Sequence, residues 1–210
     1  TGFIGRALAP SLAAYDATAL SRGGAPVPGY TTSRRCDLFS LRDAESALAG
    51  ADVAVYLVHS MMPSARLSQG RFEDFDLICA DNFARAAAHA GVRRIVYVGG
   101  LLPRDAARSR HLESRSEVER ALAAHGVPVT TIRAGVVIGA GGSSFVIMTR
   151  LVKKLPFMIC PRWTETRTQP IALDDLMRMI AFALSSEACD GRAFDVGAPE
   201  VLSYRTMMEL

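Results

Sequence analysis

Short runs of apolar and β-branched residues alternate along this chain with longer stretches of helical periodicity. Val53–Val58 is a continuous apolar run of the kind that a parallel sheet buries on both faces, and Ile95–Val98 is another. Between them, residues 71–90 place apolar side chains at helical spacing, and Gly91 ends this stretch. A further strand is predicted at Val129–Ile138, and further helices at Leu41–Leu48, at 114–125, with a capping box of Ser114 and Glu117 and an end at Gly126, and at 144–154. This alternation is typical of β-α-β units, so the sequence predicts an α/β domain built on a doubly wound parallel sheet.

The domain organisation follows from the same pattern. The length of 210 residues suits one domain, in which we expect residues 1–139 to form the core and residues 140–210 a substrate-side extension. The chain enters its first predicted helix, residues 4–14, without the strand that would precede it in a doubly wound fold. We therefore expect a fragment of a longer protein whose first strand is missing here, with a further domain able to follow residue 210.

Composition excludes several classes of protein. The net charge is +3 with the basic residues spread along the chain, which is unlike a nucleic-acid-binding arm. No apolar run reaches the roughly 18 residues that a membrane span needs. The four cysteines lie far apart without a C-x-x-C pair, so neither a disulfide framework nor a metal site is predicted and a cytoplasmic location is expected. The predicted partner is a small-molecule substrate or effector.

The glycines at the start of the chain have the spacing of a nucleotide-binding turn. Gly2 and Gly5, with Phe3 and Ile4 between them, match the last two glycines of G-x-x-G-x-x-G. A residue without Cβ lets the backbone approach a pyrophosphate, and the helix that follows offers free N–H groups. The sequence therefore predicts that residues 2–5 contact a dinucleotide. The alternative is a tight strand–helix turn that binds nothing.

The end of the second predicted strand bears on the choice of dinucleotide. An acidic residue there binds the 2′-hydroxyl of NAD, whereas an arginine accommodates the 2′-phosphate of NADP. This chain has Ser21 and Arg22 at that position and no carboxylate. We predict NADP(H) as the preferred cofactor, with NAD(H) as the alternative, and the competing interpretation of Arg22 is a solvated loop residue.

These motifs occur together in an order that resembles a known family. After the glycine turn come Cys36–Leu38, Tyr56–Met61, Gly91–Leu101 and Ile132–Gly139. In this order they resemble the atypical short-chain dehydrogenase/reductases, particularly the NmrA-like and epimerase-like NAD(P)-binding proteins with a Rossmann-type fold. The resemblance implies cofactor contacts from Asp37 and Leu38 at the adenine, from Val58, His59 and Ser60 near the ribose and pyrophosphate, and from Asn82 in the following helix.

The catalytic set of that family is replaced here. Active members use a serine at the end of the fifth strand and Tyr-x-x-x-Lys on the next helix, where the lysine lowers the pKa of the tyrosine. This chain has Gly99 and Gly100 at the serine position and His111 and Arg115 at the tyrosine and lysine positions, and none of its five tyrosines has a lysine four residues later. We predict His111 as a candidate proton donor whose pKa Arg115 would lower, the alternative being an exposed histidine.

The function that follows is an oxidoreductase acting on a small organic molecule. Two alternatives stay open, namely a non-catalytic NmrA-like sensor of nicotinamide redox state and a sugar-nucleotide epimerase with an unusual acid/base pair. Gly99 and Gly100 are predicted to lie on the substrate side. There, Arg162 and Arg167 are also candidates to bind a carboxylate or phosphate, and Trp163 is a candidate to stack on a ring. The alternative is a surface loop with a core tryptophan.

Overall fold

The computed structural model describes residues 2–58, 72–102, 110–142 and 162–209, leaving out the side chains at 72, 73, 110, 111, 162 and 163. The helices are α1 (Phe3–Leu8), α2 (Leu41–Leu48), α3 (Phe72–His89), α4 (Arg110–Ala123), α5 (Leu173–Ser185) and α6 (Tyr204–Glu209). The strands are β1 (Thr18–Ser21), β2 (Thr32–Arg35), β3 (Val53–Tyr56), β4 (Arg94–Gly100), β5 (Val129–Ala134), β6 (Val137–Ile138), β7 (Arg167–Thr168), β8 (Ile171–Ala172), β9 (Ala193–Val196) and β10 (Leu202–Ser203).

The central strands are parallel. The larger sheet has the order β3-β4-β5-β9, and β1 pairs with β2 in a separate parallel sheet. The predicted doubly wound α/β fold is confirmed. Two small strand pairs, β6 with β8 and β7 with β10, were not predicted.

Helices cover both faces of the sheets. One apolar cluster joins the sheet to α2, α3 and α4 and contains the buried side chains of Tyr56, Phe83 and Val118. The other cluster joins the sheet to α1 and α5 and contains Leu8 and Ile180. The carboxyl ends of the parallel strands therefore form one edge between the two helical layers, where ligands of α/β proteins bind. None of the described helices is long and apolar enough to cross a membrane.

Several predicted element boundaries are wrong. The expected capping box at Ser114 and Glu117 does not start a helix, because α4 begins at Arg110 and Ser114 lies inside it, 2% exposed. The first helix is shorter than expected: Pro10 has no N–H to donate, and the chain tightens into a 3₁₀ turn over Ala9–Leu12. A helix predicted at 144–154 lies outside the described residues.

The predicted strand 129–138 is divided in two at Gly135. A Cβ at this glycine would overlap the backbone carbonyl of Gln169, so the chain that leads into β8 crosses directly over it. The ladder of β5 ends at Ala134, and β6 pairs with β8 instead of continuing in the larger sheet. Apolar periodicity did not reveal this break because it follows from a contact between distant segments.

Candidate functional site

The glycine turn lies next to the end of β3. Gly5 is buried, and a Cβ on it would lie 3.6 Å from the Cδ1 atom of Leu57, the residue that follows β3. Gly2 is exposed, precedes α1 in an extended conformation, and has no atom within 4 Å of where its Cβ would stand. The half-buried Ile4 packs into the α1–α5 cluster. The turn thus fits a dinucleotide, because it combines an anchored Gly5 with open space at Gly2.

Phe3 connects this turn to the second half of the chain. Its ring lies 3.1–3.3 Å from the positions that side chains on Gly142 and Gly139 would take, directly after β6. Gly139 is also enclosed by Leu173, whose Cβ would be 2.7 Å from an added Cβ. These glycines are therefore needed so that the segment after β6 can pack on the nucleotide-binding turn.

A tyrosine that the sequence analysis did not single out fastens the same turn. The Tyr30 hydroxyl donates a hydrogen bond to the Gly5 carbonyl, and burial raises the pKa of this hydroxyl. The neighbouring Gly29 has a φ of +83°, and a side chain there would approach the Cβ of Ala9 to 2.9 Å. The loop before β2 is therefore packed closely against α1.

The loop after β1 carries the predicted arginine. Ser21 turns the chain by accepting a hydrogen bond from the Gly24 amide through its side chain at 3.0 Å. Arg22 is exposed and makes no hydrogen bond or ion pair within the described residues. Burial and the charges of Asp76 and Asp37 raise the pKa of the Cys79 thiol to about 12, and the Arg22 charge opposes that rise. The charge of Arg22 therefore lies close enough to α3 to affect the ionisation of Cys79.

The segment predicted at the adenine is held by α3. Asp37 accepts a hydrogen bond from the Phe39 amide at 3.1 Å through its carboxylate, which closes a tight turn. The Asn82 side chain donates to the Leu38 carbonyl at 2.8 Å. Asn82 thus orients the backbone of this segment, and the cofactor contacts of Asp37, Leu38 and Asn82 stay predictions. Val58, after β3, is 41% exposed, whereas His59 and Ser60 lie outside the described residues.

The two glycines at the end of β4 face other side chains closely. A Cβ on Gly99 would lie 3.2 Å from the ring of Tyr97, and one on Gly100 would lie 3.3 Å from Leu112 of α4. A serine at either position would therefore require its neighbour to shift. The start of α4 packs on the end of β4, so the helix that carries His111 and Arg115 begins beside the carboxyl edge of the sheet.

Arg115 is buried in the layer between α4 and the sheet. It is 8% exposed, and its carbonyl accepts a 3.4 Å hydrogen bond from the Tyr97 hydroxyl. Burial raises the pKa of Tyr97, while the charge of Arg115 and its side-chain hydrogen bond lower it in part. The charge of Asp76, itself buried in α3, raises it further. The side chain of His111 lies outside the described part of the chain.

The predicted substrate-side residues are only partly described. Arg167 is exposed on β7 and pairs with Ser203 of β10 through the backbone. Arg162 and Trp163 begin the 3₁₀ turn Arg162–Glu165, but their side chains are not described. Within the described ranges, no three histidine, cysteine, aspartate or glutamate side chains form a group that could hold a metal ion.

Comparison with known proteins gives matches of three kinds. The model of a family described as NAD(P)H-binding matches residues 1–153. The auxiliary protein GraX of Staphylococcus aureus (strain NCTC 8325 / PS 47) is 35% identical over 97 residues. That match covers 46% of this chain and 28% of GraX, so it spans less than a third of the relative.

Solved structures of similar fold cover nearly the whole chain. MoeE5 in complex with UDP-glucose and NAD is 21% identical, with a TM-score of 0.76 over 98% of this chain and 76% of MoeE5. Pal from Bacillus thuringiensis is 16% identical, with a TM-score of 0.78 over 99% and 79%. The UDP-glucose 4-epimerase of Thermus thermophilus, complexed with NAD, is 19% identical, with a TM-score of 0.73 over 99% and 78%.

At these identities the solved structures show only that this chain shares their fold. The family match extends across the glycine turn, the Arg22 loop, the Asp37–Leu38 segment and Asn82, all of which lie within residues 1–153. The chain therefore belongs to this NAD(P)H-binding family.

Proposed function

We propose that this chain binds NADP(H) and uses it to oxidise or reduce a small organic molecule. The observation that carries the proposal is the pairing of an open glycine turn at Gly2 with an exposed Arg22 that no described carboxylate neutralises. Guanidinium groups suit phosphate because they donate two parallel hydrogen bonds to it. The absence of an acidic residue after β1 removes the group that would repel a 2′-phosphate.

Different residues contact different parts of the cofactor. The backbone at Gly2–Gly5 faces the pyrophosphate, Arg22 the 2′-phosphate, and the segment held by Asn82 the adenine. His59 and Ser60, with Val58, belong near the ribose. When bound, the nicotinamide supplies or accepts a hydride. His111 at the start of α4 donates or accepts the accompanying proton, and an imidazole exchanges protons readily near neutral pH.

The substrate side points to an anionic molecule. Arg162 and Arg167 stand at the two ends of a short segment, and Arg167 is exposed with no described ion pair. Such arginines bind carboxylate or phosphate, Trp163 would stack on a ring, and Gly99 and Gly100 end β4 beside the start of α4. MoeE5 binds UDP-glucose, so nucleotide sugars belong among the anionic compounds to be tested.

A second candidate function is a sensor of nicotinamide redox state without turnover. The burial of Arg115 against Tyr97 favours it, because a guanidinium committed to the protein interior is not free to act on a substrate. Glycines at the end of β4 favour it as well, since no hydroxyl there can orient a carbonyl. The sensor requires that the oxidised and reduced cofactors bind with different affinity.

The deciding experiment has two stages. First, NADPH, NADH, NADP and NAD are titrated into the protein and into the Arg22→Ala variant, where we expect loss of affinity for the phosphorylated pair only. Second, absorbance at the nicotinamide is followed with a panel of anionic carbonyl compounds, alcohols and nucleotide sugars. Turnover that His111→Ala abolishes and that His89→Ala, changed at the exposed end of α3, retains supports the oxidoreductase. Tight binding without any turnover supports the sensor, and no binding of any dinucleotide refutes both.

A further inference from the structure

The register of β1 and β2 brings a second arginine to the Arg22 loop. The two strands are parallel and Ser21 stands opposite Arg35. Arg22 directly follows β1 and Arg35 is the last residue of β2, so both lie at the same edge of this sheet. The backbones of neighbouring strands are roughly 5 Å apart. Twelve residues lie between them in sequence, so only the strand pairing makes them neighbours.

The side chain of Arg35 lies on the face that this loop covers. Its neighbour Arg34 points to the opposite face, where its guanidinium donates to the Ala47 carbonyl of α2 at 3.4 Å. Successive side chains of a strand alternate between faces, so Arg35 points to the other one. Contacts agree with this, because a Cβ on Gly24 would lie 3.1 Å from the Cβ of Arg35.

The loop is shaped to fold over the base of Arg35. Gly24 adopts a φ of +66°, a conformation that side chains disfavour, and Ser21 holds its amide. No other residue type would fit here without strain, since an added Cβ would also lie 3.2 Å from the Arg35 amide. The guanidinium of Arg35 is thereby left to emerge beside the loop that carries Arg22.

The two arginines lack partners of opposite charge. Arg35 is exposed and, like Arg22, makes no ion pair or hydrogen bond with any residue that the structure describes. The nearest acidic side chain in sequence, Asp37, is engaged by the Phe39 amide. Two uncompensated guanidinium groups at one strand edge repel each other, and a bound dianion relieves that repulsion.

We propose that Arg35 is a second determinant of cofactor choice, which binds the 2′-phosphate of NADP(H) together with Arg22. The inference rests on the proposed NADP(H) function and adds to it the residue that completes the phosphate site. A phosphate monoester carries a charge of about −1.5 to −2 at neutral pH, which two arginines match better than one. NAD(H) has a hydroxyl at this position, so its affinity does not depend on Arg35.

The test compares adjacent arginines on opposite faces of one strand. NADPH and NADH are titrated into the wild type and the Arg35→Gln, Arg35→Lys, Arg34→Gln and Arg22→Gln variants. We expect Arg35→Gln to weaken NADPH binding about tenfold, the loss typical of one charged hydrogen bond, with NADH binding within about twofold of wild type. Arg35→Lys should recover part of the loss, and Arg34→Gln should leave the ratio of the two affinities unchanged.

The outcomes separate this inference from the proposed function. If the wild type prefers NADPH and Arg22→Gln removes the preference while Arg35→Gln retains it, the assignment of Arg35 is overturned and the proposed function stands. If the wild type binds NADPH no better than NADH, both the NADP(H) preference and the role of Arg35 are wrong. If Arg34→Gln lowers the ratio as much as Arg35→Gln does, the effect is general surface charge and the assignment fails.

Discussion

The hydrogen bond from Tyr30 to Gly5 makes a quantitative prediction about the nucleotide-binding turn. Tyr30→Phe removes one hydroxyl and keeps the ring, which packs into the apolar cluster that includes Leu8 and Leu12. The contribution of packing to stability is therefore nearly unchanged. The free energy of unfolding should fall by the net value of one hydrogen bond, about 1 kcal/mol. For a chain of this size that loss lowers Tm by about 2–4 °C.

Cofactor binding should change in a characteristic way. Without the hydroxyl, the carbonyl of Gly5 is no longer tied to the loop before β2, and the turn has to be ordered when the dinucleotide binds. If the full contribution of about 1 kcal/mol is transferred to binding, affinity falls about fivefold. NADPH and NADH should weaken by the same factor, because the turn faces the pyrophosphate that both contain.

The assay pairs thermal unfolding with titration of both reduced dinucleotides. Tyr15→Phe is the matched control, since Tyr15 is 37% exposed and its hydroxyl has no hydrogen-bond partner among the described residues. We expect Tyr15→Phe to behave as wild type in both measurements. The reasoning is refuted if Tyr30→Phe is indistinguishable from Tyr15→Phe, or if it changes the ratio of NADPH to NADH affinity instead of both values together.

Three further predictions concern stability and the adenine side of the site. Burial raises the pKa of Cys36 to about 11 and of Cys79 to about 12 from 9.0. The unfolded thiols therefore ionise first, so the free energy of unfolding is fully present at pH 7.5 and should fall by roughly 1–2 kcal/mol as the pH rises to 9.5. Urea titrations should show a flatter pH dependence in the Cys36→Ala/Cys79→Ala double variant. Gly139→Ala places a methyl group 2.7 Å from the first side chain of α5 and should cost about 1–3 kcal/mol by overpacking, measurable as a lower Tm. Asn82→Ala releases the Leu38 carbonyl and should weaken all four dinucleotides alike by about fivefold; a loss confined to NADP(H) in titration would contradict its assignment to the adenine side.

The sequence predicted the order of elements because burial in this fold is periodic. Leu41–Leu48 matches α2 residue for residue, and Gly91 and Gly126 take positive φ values just beyond the ends of α3 and α4. The failures occur where the decisive interaction is between distant segments. Serine is a residue type that often caps a helix, but Ser114 is buried within α4. The first turn of that helix begins earlier in the chain, at Arg110, than the local pattern indicated.

The same distinction between local patterns and distant contacts applies to the residues of the candidate site. Asp37, Leu38 and Asn82 were identified through a resemblance to a family, and the structure joins the last two by a hydrogen bond. Tyr30 and Arg35 had no comparable signal. The contact of Tyr30 with Gly5 spans 25 residues, and the place of Arg35 beside Arg22 depends on a strand register that composition and spacing do not encode. Residues that act through such contacts become visible only when the fold is known.

The interior of the molecule narrows the choice between enzyme and sensor. Tyr97 and Arg115 are a tyrosine and a cation, the two residue types that active short-chain dehydrogenase/reductases use for proton transfer. They do not lie at the positions of that catalytic pair in the fold. Tyr97 is 1% exposed, and burial raises the pKa of its hydroxyl despite the nearby guanidinium. A phenol in that state holds its proton at neutral pH and cannot exchange it with a substrate at the edge of the sheet. Proton transfer would therefore need a group outside that layer, and His111 stays the predicted candidate for it. The His111→Ala variant consequently tests the enzymatic hypothesis itself, because the described interior offers no second pair to take its place.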